Sequence, residues 1–198
     1  HAKAARMVGI ETRAELVAQT AKLAHDLGFS QMQFCNESVA DSITSSLLPD
    51  RVDMVTALHA CNTATDDAIR FGLAKQARFM VLVPCCQAEV AGVLRKHKAQ
   101  QLKDPLAEIW RHPLHTREFG SQVTNTLRCL QLEAHGYHVT VTELVGWEHS
   151  LKNELIIAEH KGPPKPHTIA RLQALLERLG LQELTERFFV PSLTPVAT

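Results

Sequence analysis

Val52-Asp-Met-Val-Thr-Ala-Leu-His-Ala-Cys-Asn-Thr-Ala-Thr-Asp-Asp-Ala-Ile69, followed by Arg78-Phe-Met-Val-Leu-Val-Pro-Cys-Cys-Gln87, decides the fold. Each stretch opens on an apolar run rich in Val, Met and Leu and too short for a helix, as a strand buried on both faces requires. Each then breaks abruptly into small, polar and thiol residues. Between them, Thr65 or Asp66 caps a helix that runs to about Ala74. In an open α/β sheet, ligands bind at the carboxyl ends of neighbouring parallel strands. His59, Cys61, Asn62, Cys85, Cys86 and Gln87 are therefore expected to share the lip of one pocket.

The flanking sequence extends the alternation. Met7 to Ile10 reads as a short buried strand that ends at Glu11. Leu16, Thr20, Leu23 and Leu27 recur at helical spacing with Val17 and Ala24 beside them, and Gly28 suits a left-handed helix cap. Met32 to Cys35 is a strand, and Asn36 to Asp50 is a polar connection with a turn of helix. Beyond Gln87, a helix is expected from Ala88 to about Lys98 and a longer one from His115 to Ala134, stopped by Gly136. Tyr137–Leu144 and Leu155–Ala158 are strands with no room for a crossover helix between them, so they pair as an antiparallel hairpin. Gly162-Pro-Pro-Lys-Pro166 is a stiff linker to a last amphipathic helix marked by Ile169, Leu172, Leu176 and Leu179. Residues from Pro191 read as a frayed end. The expectation is α/β: a Rossmann-like, mostly parallel sheet closed by a C-terminal antiparallel hairpin. Residues 1–160 form that domain, and 161–198 are a linker plus one helix.

Composition narrows the functional classes. A chain of 198 residues can bury a real core, and its twenty-one basic and twenty-one acidic side chains cancel. No global field points to nucleic acid, to a membrane or to an acidic substrate. Eleven histidines add positive charge only near pH ~6.5. No apolar run approaches a membrane span, and the first residues do not read as a signal peptide. Five cysteines, at 35, 61, 85, 86 and 129, lack the regular even framework of a secreted disulfide scaffold. Reduced thiols in the cytoplasm are the expectation.

Each chemically suggestive group has a plainer reading beside it. His59 with Cys61, Cys85 and Cys86 offers imidazole and thiolate, the ligands of zinc or iron. The spacing Cys-x23-Cys-Cys supplies no chelating pair, however, and adjacent cysteines rarely hold one metal, so no metal is expected. A nucleophilic cysteine with His59 as its base is a further alternative. Asp66 and Asp67 look like paired acids, yet fall in the first turn of a helix, where capping accounts for them. His149, Lys152 and Asn153 lie in the hairpin loop. They either make a tight turn or overhang a substrate. Arg171, Arg178 and Arg187 are read as a wet helix face.

Leu58-His-Ala-Cys-Asn-Thr-Ala-Thr-Asp-Asp67 with Pro84-Cys-Cys-Gln87 resembles the class I S-adenosylmethionine-dependent methyltransferase domain of the methyltransferase-like protein 25 type. The resemblance runs from Val8-Gly-Ile-Glu11 through Glu148-His-Ser-Leu-Lys-Asn153. It implies S-adenosylmethionine as cofactor, with Glu11 accepting from the ribose hydroxyls and Glu37 and Ser38 in the turn beside the adenine. It also implies that His59 to Asn62 faces the transferred methyl group. His59 then serves both cofactor and catalysis, as the base, and Asn62 orients the acceptor. Cys61, Cys85, Cys86, Gln87, Lys152 and Asn153 line the substrate pocket. The implied partner is a macromolecular methyl acceptor, RNA or protein. The family's first strand and glycine-rich turn are not found, and the sequence opens where the second strand should start, as in an N-terminally incomplete domain. Two rivals remain: a catalytically inactive Rossmann-like binding module, and a cysteine- or metal-dependent hydrolase.

Overall fold

The computed structural model describes residues 5–61, 63–85, 87–96, 105–146 and 153–189. Asn62, Cys86, His149 and Lys152 lie outside them. The chain divides into two compact units, His1–Arg51 and Val52–Thr198, each with its own sheet. It is an α/β protein.

The first unit is a strand–helix–strand. β1 (Met7–Glu11) and β2 (Met32–Asn36) pair in parallel, with Met7 opposite Met32 and Glu11 opposite Asn36. The connection is α1 (Ala14–Asp26), long enough to carry the chain back to the same sheet end. Gly28 ends it at φ 79°, and two bonds close the cap: Gly28 N–H to His25 O and Phe29 N–H to Ala24 O. This is the left-handed stop the sequence announces. The buried face of α1 differs from the expected stripe. Ala24 is buried, with Leu16 and Val17 half-buried, while Leu23 and Leu27 face outward. A short α2 (Val39–Ser42) follows β2.

The second unit holds β3 (Met54–Ala60), α3 (Ala64–Ala74), β4 (Phe79–Pro84) and α4 (Glu89–Lys96). After a 3-10 turn over Pro105–Trp110 come α5 (Pro113–Ala134), β5 (Tyr137–Glu143) and β6 (Glu154–His160). α6 (Pro166–Arg178) and α7 (Thr185–Phe188) close it. Strand order is β3-β4-β6-β5. β3 and β4 are adjacent and parallel, joined by α3. β5 and β6 form the expected antiparallel hairpin, and β6 docks antiparallel on β4. The sheet is therefore mixed, one parallel pairing against two antiparallel, where a mostly parallel one was expected. Within this sheet, and among the described residues, the β3–β4 connection carries the crossover helix.

β4 is the buried strand of this sheet, with Met80 and Leu82 sealed from solvent. β3 is not buried on both faces as its apolar run suggested. It is one of the two edge strands of the four, and Leu58 is 66% exposed. The helices supply the rest of the core. Val90 and Leu94 of α4, Val123, Leu127 and Leu130 of α5, and Leu172 and Leu176 of α6 pack as one cluster with Leu181, Leu184 and Phe188. The segment that reads from sequence as an appendage thus contributes a large share of this core. Gly136 stops α5 at φ 87°, with the carbonyl of Gly162 where a Cβ would stand. Tyr137 donates to Ala77 O at 2.6 Å, fixing the hairpin to the turn before β4, and its burial pushes the phenol pKa up to about 12.

Candidate functional site

At the carboxyl end of β1, Glu11 projects a carboxylate held by its own chain. Oε1 accepts from Arg13 N–H at 3.0 Å, Arg13 Nε at 3.2 Å and Thr12 Oγ1 at 3.3 Å, and Oε2 accepts from Arg13 Nη2 at 3.3 Å. The Arg13 side-chain and backbone donors hold its pKa down from 4.5 to about 2. A carboxylate offers roughly four acceptor positions. Oε1 is saturated, so Oε2 retains the capacity for a ribose hydroxyl, and capture of both hydroxyls requires Arg13 to swing away. Asn36 Nδ2 bonds Glu11 O at 3.1 Å and Thr12 O at 2.8 Å, locking the two strand ends together.

Ser38 takes a structural role. It caps α2, its Oγ accepting from Asp41 N–H at 3.0 Å and donating to Asp41 Oδ2 at 2.6 Å. Glu37 is more open to a ligand. Its Oε1 accepts from Ser45 Oγ at 3.0 Å, while Oε2 is buried with no donor among the described residues. An acceptor buried without a donor fits a group that arrives with one.

In the second unit the two cysteine-bearing strand ends meet. Leu58 stands opposite Val83, but the next aligned pair is Ala60 with Pro84, so His59 is absorbed in a bulge. His59 carries φ 53°, in the left-handed region that a non-glycine residue enters at a cost. The bulge re-aims its exposed side chain and brings Cys61 level with Cys85. Their sulfurs lie 2.9 Å apart, Cys61 exposed and Cys85 buried. Thr65 Oγ1 donates to Ala60 O at 2.7 Å, tying the start of α3 to the strand end.

Gln87 is buried, and its surroundings fix which way its amide faces. Arg128, fully buried on α5, donates Nε to Asp66 Oδ1 at 2.6 Å and Nη2 to Asp66 Oδ2 at 2.8 Å. Its Nη1 donates to Asn125 Oδ1 at 3.2 Å. A guanidinium can only donate. Asn125 must therefore turn its oxygen toward Arg128 and its nitrogen toward Glu154 Oε2, at 2.6 Å. Gln87 Nε2 donates to the same Asn125 oxygen at 2.5 Å, leaving Gln87 Oε1 buried without a donor among the described residues. One chain of bonds thus links α3, α5 and the starts of β6 and α4.

This corrects the reading of Asp66 as a capping acid. The residue before α3 is Thr63, and Asp66, 5% exposed, is spent on Arg128. Desolvating a carboxylate is tolerable only with such a partner. Asn153 also takes a turn role, Nδ2 donating to Val145 O at 2.6 Å while its own carbonyl accepts from Leu144 N–H at 2.8 Å. Sequence reasoning missed Arg13, Asn125, Arg128 and Glu154. The one available signal was Arg128 itself, a charge set among the apolar positions Leu127 and Leu130.

The structure brings Cys61 to Cys85 and links Gln87 through Asn125 and Arg128 to Asp66. Glu11, Glu37 and Ser38 lie in the first unit, and His59, Cys61, Cys85, Gln87 and Asn153 in the second. No group of three metal-ligating side chains occurs among the described residues, and no described helix is long and apolar enough to cross a membrane.

A family model described as a methyltransferase domain matches residues 1–93, from β1 through most of α4 and across both cysteine motifs. The match supports a methyltransferase domain and a methyltransferase-type function, for which S-adenosylmethionine is the usual methyl donor. No curated protein matches the chain.

Proposed function

We propose that this protein transfers a methyl group from S-adenosylmethionine to a nitrogen or oxygen nucleophile on an RNA or protein acceptor. The match to a methyltransferase domain over residues 1–93 carries the reading. The ionised Glu11 at a strand's carboxyl end and the donorless Glu37 oxygen support it, being acceptors suited to ribose and to the adenine side. The cofactor supplies an electrophilic methyl group, whose bond to sulfur breaks as the bond to the acceptor forms. In this reading Glu11 holds the ribose and Ser38 shapes the adjoining turn. His59 takes the acceptor's proton. The family resemblance assigns Asn62 to orienting the acceptor, and Cys61, Cys85, Cys86, Gln87, Lys152 and Asn153 to the substrate side. Most of the rate gain then comes from aligning donor and acceptor.

Methylation assays on RNA and protein fractions, paired with calorimetry, test the assignment. His59→Ala and Asn62→Ala should depress turnover while leaving S-adenosylhomocysteine affinity intact. Loss of affinity and turnover together would place these residues on the cofactor alone, and full turnover would remove them from the reaction.

A further inference from the structure

The sulfur contact at the strand ends points to chemistry that methyl transfer does not need. It arises from register. The bulge takes up His59, so the positions after Ala60 and Pro84 face one another across a parallel pair. Neighbouring strands run ~4.8 Å apart, inside the ~4.4–6.8 Å that a disulfide spans between its Cα atoms. The side chains lie on the same side, since the sulfurs approach to 2.9 Å. One thiol is exposed and the other buried, as an entering and a resolving cysteine would be.

We propose that Cys61 and Cys85 are a thiol–disulfide couple, a reversible modification site for a low-molecular-weight disulfide such as oxidised glutathione. Cys61, as thiolate, attacks one sulfur of the oxidant. The S–S bond breaks, and one glutathione leaves as thiolate. Cys85 then attacks Cys61 in the mixed disulfide, expelling the second glutathione. The two cysteines lose two protons and two electrons. The oxidant gains them, becoming two thiols. The product staples the end of β3 to the end of β4 and withdraws the exposed thiol from solvent. The couple does not depend on the methyl-transfer reading.

Peptide mapping of the whole chain tests it. After treatment with oxidised glutathione and tryptic cleavage without reductant, mass spectrometry should find peptide 52–70 joined to peptide 79–95. Dithiothreitol should separate them. The second peptide also contains Cys86, so variants decide the partner: Cys86→Ser should keep the link and Cys85→Ser should abolish it. A link that survives Cys85→Ser and vanishes in Cys86→Ser would overturn the assignment. So would a wild-type protein that stops at a glutathione adduct on Cys61, or that does not react.

Discussion

Replacing Arg128 with Met tests the polar chain that supports the β4 end. The substitution keeps most of the side-chain length at a position that is 0% exposed, and removes every donor. Asp66 loses bonds of 2.6 and 2.8 Å and remains a buried carboxylate, and Asn125 loses one of 3.2 Å. Breaking one side of a buried ion pair costs about 3–5 kcal/mol, a large part of the ~5–15 kcal/mol that holds a domain folded. Burying the Met methylenes recovers at most ~2 kcal/mol. With a urea dependence near ~2 kcal/mol per molar, a net loss of at least roughly 1–3 kcal/mol lowers the midpoint by at least roughly 0.5–1.5 M. Asp66→Leu combined with Arg128→Met should restore most of that loss, because an apolar pair leaves no stranded charge. Urea denaturation followed by circular dichroism measures all three proteins. A single variant within ~0.5 kcal/mol of wild type, or a double variant no more stable than the single, would refute the reasoning.

The Glu11 carboxyl should titrate near pH 2 by NMR and return toward 4.5 in Arg13→Ala, because the Arg13 donors depress it. With its folded pKa lowered, the pairing is present above 4.5 and is lost as pH falls toward 2. Its effect on stability should be slight because the pair is exposed. Gly136→Ala should destabilise the protein by at least ~1–3 kcal/mol in thermal or urea unfolding, since a left-handed φ coincides with a backbone carbonyl where the Cβ would go. Timed alkylation with mass-spectrometric readout should label exposed Cys61 long before Cys129, whose thiol is pushed up to about 12 chiefly by burial and further by Glu154 and Glu133.

Strands and helices that carry their own periodicity were legible. Phe79–Val83, the 3.6-residue stripe of α5 and the hairpin forced by a short connection all stand where their residues imply. Gly28 and Gly136 announced their helix stops for a local reason, the freedom of glycine at positive φ. Exposure was harder to read. The β3 run, even with Thr56 and His59 in it, reads as a buried strand, but its place at a sheet edge is a tertiary fact. The Asp66–Arg128 pair joins residues 62 apart, so local rules could see only an acid in a helix's first turn. The bulge at His59 was also hidden. Positive φ usually advertises itself through glycine, and here a histidine adopts it.

Isothermal titration of S-adenosylhomocysteine into the protein and its Glu11→Ala variant tests the central claim most directly. The account predicts saturable binding at one site per chain, weakened roughly 10- to 150-fold when Glu11 is removed, as expected for a hydrogen bond to a charged acceptor. Absence of binding up to ~1 mM, equivalent to less than about 4 kcal/mol of binding free energy, would contradict a cofactor-dependent methyltransferase. Equal affinities for the two proteins would contradict the assignment of the ribose to Glu11.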